Sequence, residues 1–321
     1  MCEGGAPAAV WIGTIFSLSF TRGNCGNKRG RKRKRYYQQK RRESKMETLK
    51  IWGRPSSSNT QKVLWMVEEC YESDEMKKID VQLVHASGWL APGKNTFDSS
   101  SWDKVVDSES YRQMNPNPTV PTIECKLKTG ELYSLWESNS IVRYLAMRFR
   151  PDLNGNGSPE LAATASKWMD WQLQTRFGGP KGFDIINQAI RNPPEKRDMK
   201  VLSEAAVVMA EKLGPVEFQL SKTKFLGGKN FSVADIPIAI VINRWKLGME
   251  KGNEMSEQGK SGVDFSQVKE TPNIDRWYKL LLERPAFVNG CYIPERLHLE
   301  LPMSSSPQGK LLQCYIEKYN A

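Results

Sequence analysis

Three short segments of this 321-residue chain carry side chains suited to holding a charged small molecule. The first is Pro55-Ser56-Ser57-Ser58-Asn59, a run of hydroxyls and an amide just ahead of an apolar-periodic stretch. Donors at the start of a helix, together with its free N–H groups and the positive end of its dipole, stabilise an anion. The second is Asn115-Pro116-Asn117-Pro118-Thr119-Val120-Pro121. A proline entering a strand from such a turn is a candidate for a cis bond, which turns the preceding backbone toward a ligand. The third is Trp136-Glu137-Ser138-Asn139, opening another helix, where free amides favour a carboxylate. Singly, each segment has a plainer reading: a solvated loop, a turn and a helix cap.

Scarce residues exclude other chemistry. Only His85 and His298 are present, neither in a known catalytic spacing, so a multi-histidine zinc hydrolase is not expected. Cys2, Cys25, Cys70, Cys125, Cys291 and Cys314 form no CxxC and no pair with metal-ligand spacing. That usage fits a reducing compartment and argues against a dithiol oxidoreductase. Gly259-Lys260-Ser261 has the ending of a phosphate-binding loop, but Glu254 stands where its first glycine belongs.

The elements that must position these segments can be read from periodicity. Thr48 to Trp52 reads as a strand, and Thr60 to Tyr71 as a helix with Val63, Leu64, Met66 and Val67 on one side. Ile79 to Val84 is a second strand. His85 to Ser110 is too long for an ordinary connection and reads as an exposed loop. A short helix at Ser110 to Met114 comes next. Val120 to Glu124 and Glu131 to Leu135 are strands joined across Lys128-Thr129-Gly130, and Trp136 to Phe149 is helical. The order β-α-β-α-β-β-α resembles the thioredoxin fold. Pro151 to Gly157 reads as a linker, and the chain beyond it is helical almost throughout. Ser158-Pro159-Glu160 starts a helix, Pro193 to Ser221 carries a long amphipathic pattern, and Thr271-Pro272 opens a helix ending before Pro285. Ser232-Val233-Ala234-Asp235 reads as a capping box, with Ser232 Oγ accepting the Asp235 amide and Asp235 reaching back to the Ser232 amide. The expected architecture is an α/β thioredoxin-like N-terminal domain, 47–150, then an all-α helical-bundle domain, 158–294, with a C-terminal tail at 295–321.

Apolar content of 39%, charge of 26% and a mean hydropathy of −0.56 describe an ordinary globular protein. The net charge of +11 is unevenly placed. Residues 1–45 hold twelve Lys or Arg against Glu3 and Glu43, a charge of +10, which leaves +1 for everything after. Nucleic-acid binding by the body is therefore not expected. The segment 1–46 reads as a basic disordered leader, either an extension ahead of a start at Met46, a nuclear or organelle targeting signal, or an RNA-binding arm. Its apolar run, Ala6 to Phe20, is short for a membrane span.

In order and at these spacings, the three segments resemble the soluble glutathione transferases, most of all bacterial-type members. The resemblance runs from Leu49 to about Pro294. It rests on Gly53-Arg54-x-x-Ser57-x-Asn59-x-x-Lys62-Val63-Leu64, on Asn115-Pro116-Asn117-x-x-Val120-Pro121, and on Leu135-Trp136-Glu137-Ser138-Asn139-x-Ile141 through Leu145. Lys167 to Gln172, Pro193 to Asp198, the capping box and Arg276-Trp277-Tyr278 to Arg284-Pro285 add to it.

The resemblance implies an enzyme that activates the glutathione thiol as thiolate for attack on an electrophilic small molecule, or on a peroxide or disulfide. Glutathione is then a co-substrate, and no metal is needed. A free thiol with a pKa of about 8.5 is only about 3% thiolate at pH 7. Lowering it to about 6.5 gains roughly 25-fold in nucleophile. Ser57 and Asn59 match the spacing that contacts sulfur in bacterial relatives, with Ser58 as competitor. The Val120 backbone before Pro121 is implied to pair with the cysteinyl unit, and Glu137 and Ser138 to hold the γ-glutamyl end. The electrophile pocket is implied to lie between the domains, near Trp168, Trp171, Gln172 and Arg176, although Trp168 and Trp171, like Trp245, could equally be core. A homodimer, a cytoplasmic location and no membrane span are the accompanying expectations. The alternative is a non-catalytic module of the same fold used for dimerisation or docking. The chain departs from the family in a longer loop around Ser87 to Ser101, in Thr119 where some relatives carry Lys or Arg, and in the segment after Pro294.

Overall fold

A computed structural model describes residues 45–55, 57–86, 105–175 and 180–291. Residues 1–44 of the leader, the loop around Ser87 to Ser101, Arg176 and the tail 295–321 lie outside the described residues, while Met46, assigned to the leader, is the first residue of a strand. Strand β1 (Met46–Gly53) is followed by helix α1 (Ser58–Cys70) and strand β2 (Asp80–His85). Helix α2 (Glu109–Met114), strands β3 (Thr122–Leu127) and β4 (Leu132–Trp136) and helix α3 (Ser138–Phe149) complete this part. The sheet order is β2-β1-β3-β4, with β1 parallel to β2 and antiparallel to β3, and β3 antiparallel to β4. This is the mixed sheet of the thioredoxin fold.

The helical part comprises α4 (Pro159–Gln174), α5 (Pro180–Ile186), α6 (Met199–Lys212), α7 (Gly214–Leu220), α8 (Asp235–Glu257), α9 (Pro272–Leu282) and α10 (Pro285–Cys291). A π-helical turn, Asn187–Arg191, continues α5. No helix among the described residues is long and apolar enough to cross a membrane.

Several elements differ from the periodicity reading, each for a physical reason. Trp136 belongs to β4, where it pairs with Thr122, and the chain then turns at Glu137 before α3 begins. Strand β3 starts at Thr122 rather than Val120, because the turn ends in the Val120–Pro121 bond, which is cis. The amphipathic stretch from Pro193 divides into two helices at Leu213, with Asp198 capping α6 through hydrogen bonds from the Lys200 and Val201 amides. The Pro151–Gly157 segment forms 3-10 turns that break at Asn154, Gly155 and Asn156. It is tied down by the buried Leu153, whose carbonyl accepts the Val233 amide at 3.0 Å. The capping box is half as expected. Asp235 Oδ2 accepts the Ser232 amide at 3.0 Å, but Ser232 Oγ takes the Ala234 amide instead of that of Asp235.

Helix α1 differs most in its surroundings. Every residue from Thr60 to Cys70 is buried, not one face alone, because the sheet lies on one side and α3, α8 and α10 pack around the rest. Trp65 stacks on Phe231 and tilts against Phe287, with centroids 5.5 and 4.8 Å away. Gly290 makes this approach possible, since a Cβ there would lie 2.5 Å from Trp65 Cα. Glu69, also on α1, receives a bidentate pair from Arg284 at 2.5 and 2.6 Å and the Trp65 indole N–H at 2.8 Å. The loop before α10 is thus joined to α1 by charge as well as by packing.

Candidate functional site

Ser57 is the N-cap of α1. Its extended backbone (φ −77°, ψ 125°) lets Oγ accept the Thr60 amide at 3.4 Å. A hydroxyl that accepts in this way keeps its own proton to donate. Ser58 opens the first turn and Asn59 is exposed beside it.

The Asn115–Pro121 loop is built from inside. The Tyr111 hydroxyl donates to the Thr119 carbonyl at 2.7 Å and lies 2.8 Å from Thr122 Oγ1. The buried Asn115 amide donates to that carbonyl and hydroxyl at 3.0 and 2.9 Å, while its own oxygen accepts the Asn117 amide. These bonds fix the backbone that leads through Thr119 and Val120 into Pro121.

Glu137 holds φ +68°, a left-handed conformation that costs a non-glycine residue energy and often marks a functional position. Glu137 is exposed, and α3 starts at the next residue, Ser138, which is 3% exposed. Ser138 Oγ accepts from Lys62 Nζ at 3.5 Å.

Lys62 carries no role in the sequence-based expectations. It is 1% exposed, and its Nζ donates to Gln172 Oε1 at 2.8 Å. The Asn139 amide joins the same network, donating to the Met169 carbonyl at 2.8 Å and to Gln172 Oε1 at 3.5 Å. Burial pulls the Lys62 amine down to about 7, against the attraction of Glu137 and helped by repulsion from Arg244.

A cavity of about 360 Å³ lies at the start of α1. Ser58, Asn59, Lys62 and Gln172 line one side. Ile185, Ile186 and Met209 line another, with Ile240, Arg244 and Trp245 from α8. Helix α5 comes close because α8 carries Gly248, where a Cβ would meet Ile185 Cγ2 at 2.3 Å. Of the residues expected for the electrophile pocket, Gln172 lines this cavity and Trp168 and Trp171 do not. Trp168 is buried, with its ring edge-on to Trp171 at 5.4 Å, and Arg176 lies outside the described residues. The α1 start, the α3 start and α4 thus meet through the Lys62–Ser138 and Lys62–Gln172 contacts. Among the described residues, no group of three or more His, Cys, Asp and Glu side chains is placed to hold a metal ion.

A mixed four-stranded sheet with a cis-proline turn, continued by a helical bundle, makes this a thioredoxin-like protein with a second, helical part. The sequence profile described as glutathione S-transferase, N-terminal domain, matches residues 56–148. The glutathione S-transferase GstB of Escherichia coli is 30% identical over 250 residues, covering 77% of this chain and 99% of its own. The glutathione S-transferase 1 of Zea mays is 26% identical over 183 residues, 56% of this chain and 75% of the maize protein. Among solved structures, the theta class glutathione S-transferase of Xanthomonas axonopodis pv. citri with glutathione bound is similar at a TM-score of 0.57. It shares 29% identity, with 77% of this chain and 98% of that one covered. The chain belongs to the glutathione S-transferase family, and it is an enzyme of that family.

Proposed function

We propose that the protein binds glutathione across its three converging segments, ionises the thiol at the N-terminus of α1, and joins the sulfur to an electrophilic small molecule seated in the adjoining cavity. The observation that carries this is the capped start of α1. Ser57 Oγ is committed as an acceptor to the Thr60 amide, so its O–H is left to donate to a thiolate. Ser58 and Asn59 open onto the cavity from the same turn. The thiol proton leaves to solvent. A sulfur electron pair forms the new bond to carbon, and the leaving group departs with the pair of the broken bond. In this reading Val120 pairs through its backbone with the cysteinyl unit, while Ser138 and Glu137 hold the γ-glutamyl carboxylate and ammonium. A module that only docks or dimerises leaves the cavity beside Ser58 and Asn59 without a use.

The quaternary and cellular readings rest on other features. Leu132 and Tyr133 on β4 are 64% and 40% exposed and Met147 on α3 is 60% exposed, apolar surface that fits a homodimer. The free thiols Cys70, Cys125 and Cys291 fit a reducing compartment such as the cytoplasm. Retention on immobilised glutathione, followed by the ultraviolet absorbance of bound thiolate, tests the catalytic reading. A thiolate band near neutral pH is expected. Absence of both retention and band refutes it.

A further inference from the structure

Gln172 sits where α1, α3 and α4 meet, and its amide is held by the oxygen alone. The ordering starts at the Met169 carbonyl, which can only accept, so the Asn139 atom 2.8 Å from it is the amide nitrogen. That nitrogen also donates to Gln172 Oε1 at 3.5 Å, and Lys62 Nζ donates to the same oxygen at 2.8 Å. Two donors on one atom fix which end of the Gln172 amide is oxygen. Its Nε2 is the other end, and among the described residues it has no hydrogen-bond partner. Gln172 is 9% exposed and lines the cavity. Two N–H donors on so deeply buried an amide call for an acceptor inside that cavity. The neighbouring cations are already engaged. Glu137 attracts the Lys62 charge while the amine holds Gln172 and Ser138, and Arg244 Nη2 donates to Gln61 Oε1 at 3.4 Å.

The place of this neutral donor suits one kind of electrophile. Lys62 follows Ser58 by four residues, so Gln172 is anchored about one helical turn, roughly 6 Å, beyond the α1 start where the thiolate is proposed to form. Ile185, Ile186, Ile240 and Trp245 are buried apolar side chains lining the same cavity. A small apolar body with an oxygen acceptor a few bonds from its reacting carbon matches that arrangement.

We propose that Gln172 is a catalytic residue whose Nε2 donates to the carbonyl oxygen of a conjugated enone while glutathione sulfur adds to the enone's β carbon. The assignment rests on the transferase reading above, with addition taking the place of a departing group. The sulfur electron pair forms the bond to the β carbon, the alkene π pair moves to the adjoining carbon–carbon bond, and the carbonyl π pair goes to oxygen. The resulting enolate takes a proton from water at its α carbon, which restores the proton the thiol gave up. The donor is in place before charge develops, so its hydrogen bond strengthens as the oxygen becomes anionic. Lys62 and Asn139 are positioning residues, since they hold the amide with its nitrogen toward the substrate. An electrophile that sends its charge to a halide leaving the reacting carbon gains nothing from this donor.

The full chain is assayed with glutathione and either 4-phenyl-3-buten-2-one or benzyl chloride, which has no oxygen acceptor. Two variants are compared with wild type: Gln172→Met, and Gln172→Glu, which keeps an oxygen for Lys62 and Asn139 but offers no donor when ionised. In both, kcat/KM for the enone is expected to fall about tenfold or more beyond any fall for the chloride. A change in thiolate formation or in the fold lowers both substrates alike, so the ratio isolates the donor. Should Gln172→Met lose its fold, Gln172→Glu decides. Where wild type turns over only the enone, retained calorimetric affinity for S-methylglutathione replaces the chloride as reference. In the chain saturated with S-methylglutathione, the affinity for the saturated ketone 4-phenyl-2-butanone is expected to fall less than the enone kcat/KM, because a neutral carbonyl accepts more weakly than an enolate. Equal falls for enone and chloride, an unchanged enone rate in a folded variant, or a ketone affinity that falls as far as the enone kcat/KM overturns the catalytic role of Gln172 and leaves the transferase reading standing. So does a wild type that binds S-methylglutathione but does not turn over the enone. Failure of wild type to bind S-methylglutathione overturns the transferase reading, and this assignment with it.

Discussion

Replacing Arg284 by Met tests whether the charge contact between α1 and the segment before α10 stabilises the fold. Arg284 donates to both carboxylate oxygens of Glu69, at 2.5 and 2.6 Å, and its guanidinium lies 3.9 Å from the Phe231 ring centroid. Glu69 is 3% exposed, so losing its partner leaves a carboxylate poorly solvated. Removing one member of a buried pair costs about 3–5 kcal/mol. Two features reduce that here: Arg284 is itself 30% exposed, and Arg150 stands 3.9 Å from the same carboxylate. Methionine also preserves apolar contact with Phe231. A cost of about 3 kcal/mol results, and at about 2–4 °C per kcal/mol for a large domain the melting temperature should fall by roughly 6–12 °C. Differential scanning calorimetry of the full chain measures it. The double variant Glu69→Met/Arg284→Met should lose less than the sum of the two single losses, because the second substitution removes the stranded partner. A single variant melting within about 1 °C of wild type, or strict additivity in the double, refutes the reasoning.

Two further outcomes are expected. Ser57→Ala should raise the pKa of bound glutathione by about one to two units, the equivalent of about 1.5–3 kcal/mol for one lost donor to an anion, read from thiolate absorbance against pH; an unchanged pKa moves the role to Ser58 or Asn59. Iodoacetamide at neutral pH should leave Cys70, Cys125 and Cys291 unmodified, since burial raises all three thiols, Cys125 to about 12; peptide mass mapping that finds label on any of them in the folded protein contradicts this.

Local chemistry made part of the site readable. Ser57 before an apolar run and Ser138 after a strand are helix-start residues whatever surrounds them, and Val120-Pro121 is a turn signal by itself. Lys62 was hidden because its burial is a tertiary property. Periodicity gives α1 one apolar face, and a lysine off that face reads as solvated until α3, α8 and α10 close over it. Its only signal was position, inside a stretch whose flanks are Val63, Leu64 and Trp65. Arg244 sits within the 23-residue α8 and looked like any charge on an amphipathic helix. Glu137 gave no sign of its positive φ, since glutamate has no preference for it. Asp235 was legible as a cap, but its wider role was not. Its Oδ1 also accepts the Leu226 amide and the Trp277 indole N–H, each at 2.9 Å and the latter 42 residues away. Burial pushes that carboxyl up to about 6 even with these donors around it.

The joining of Glu69 to Arg284 and of Trp65 to Gly290 also sets a clock for synthesis. The ribosome completes α1 long before it makes the residues that cover it, because Arg284 comes 215 positions after Glu69. At about 5–20 residues per second, the nascent chain carries an uncovered α1 for roughly 10–40 s. During that time Trp65 and the Glu69 carboxylate lack their final neighbours, and the start of α1 lacks its final support. The start of α1, made well before its cover, is therefore among the last parts to reach its final form. A chain that stalls before Pro285 leaves the ribosome with its sheet already made and this helix still open to other partners.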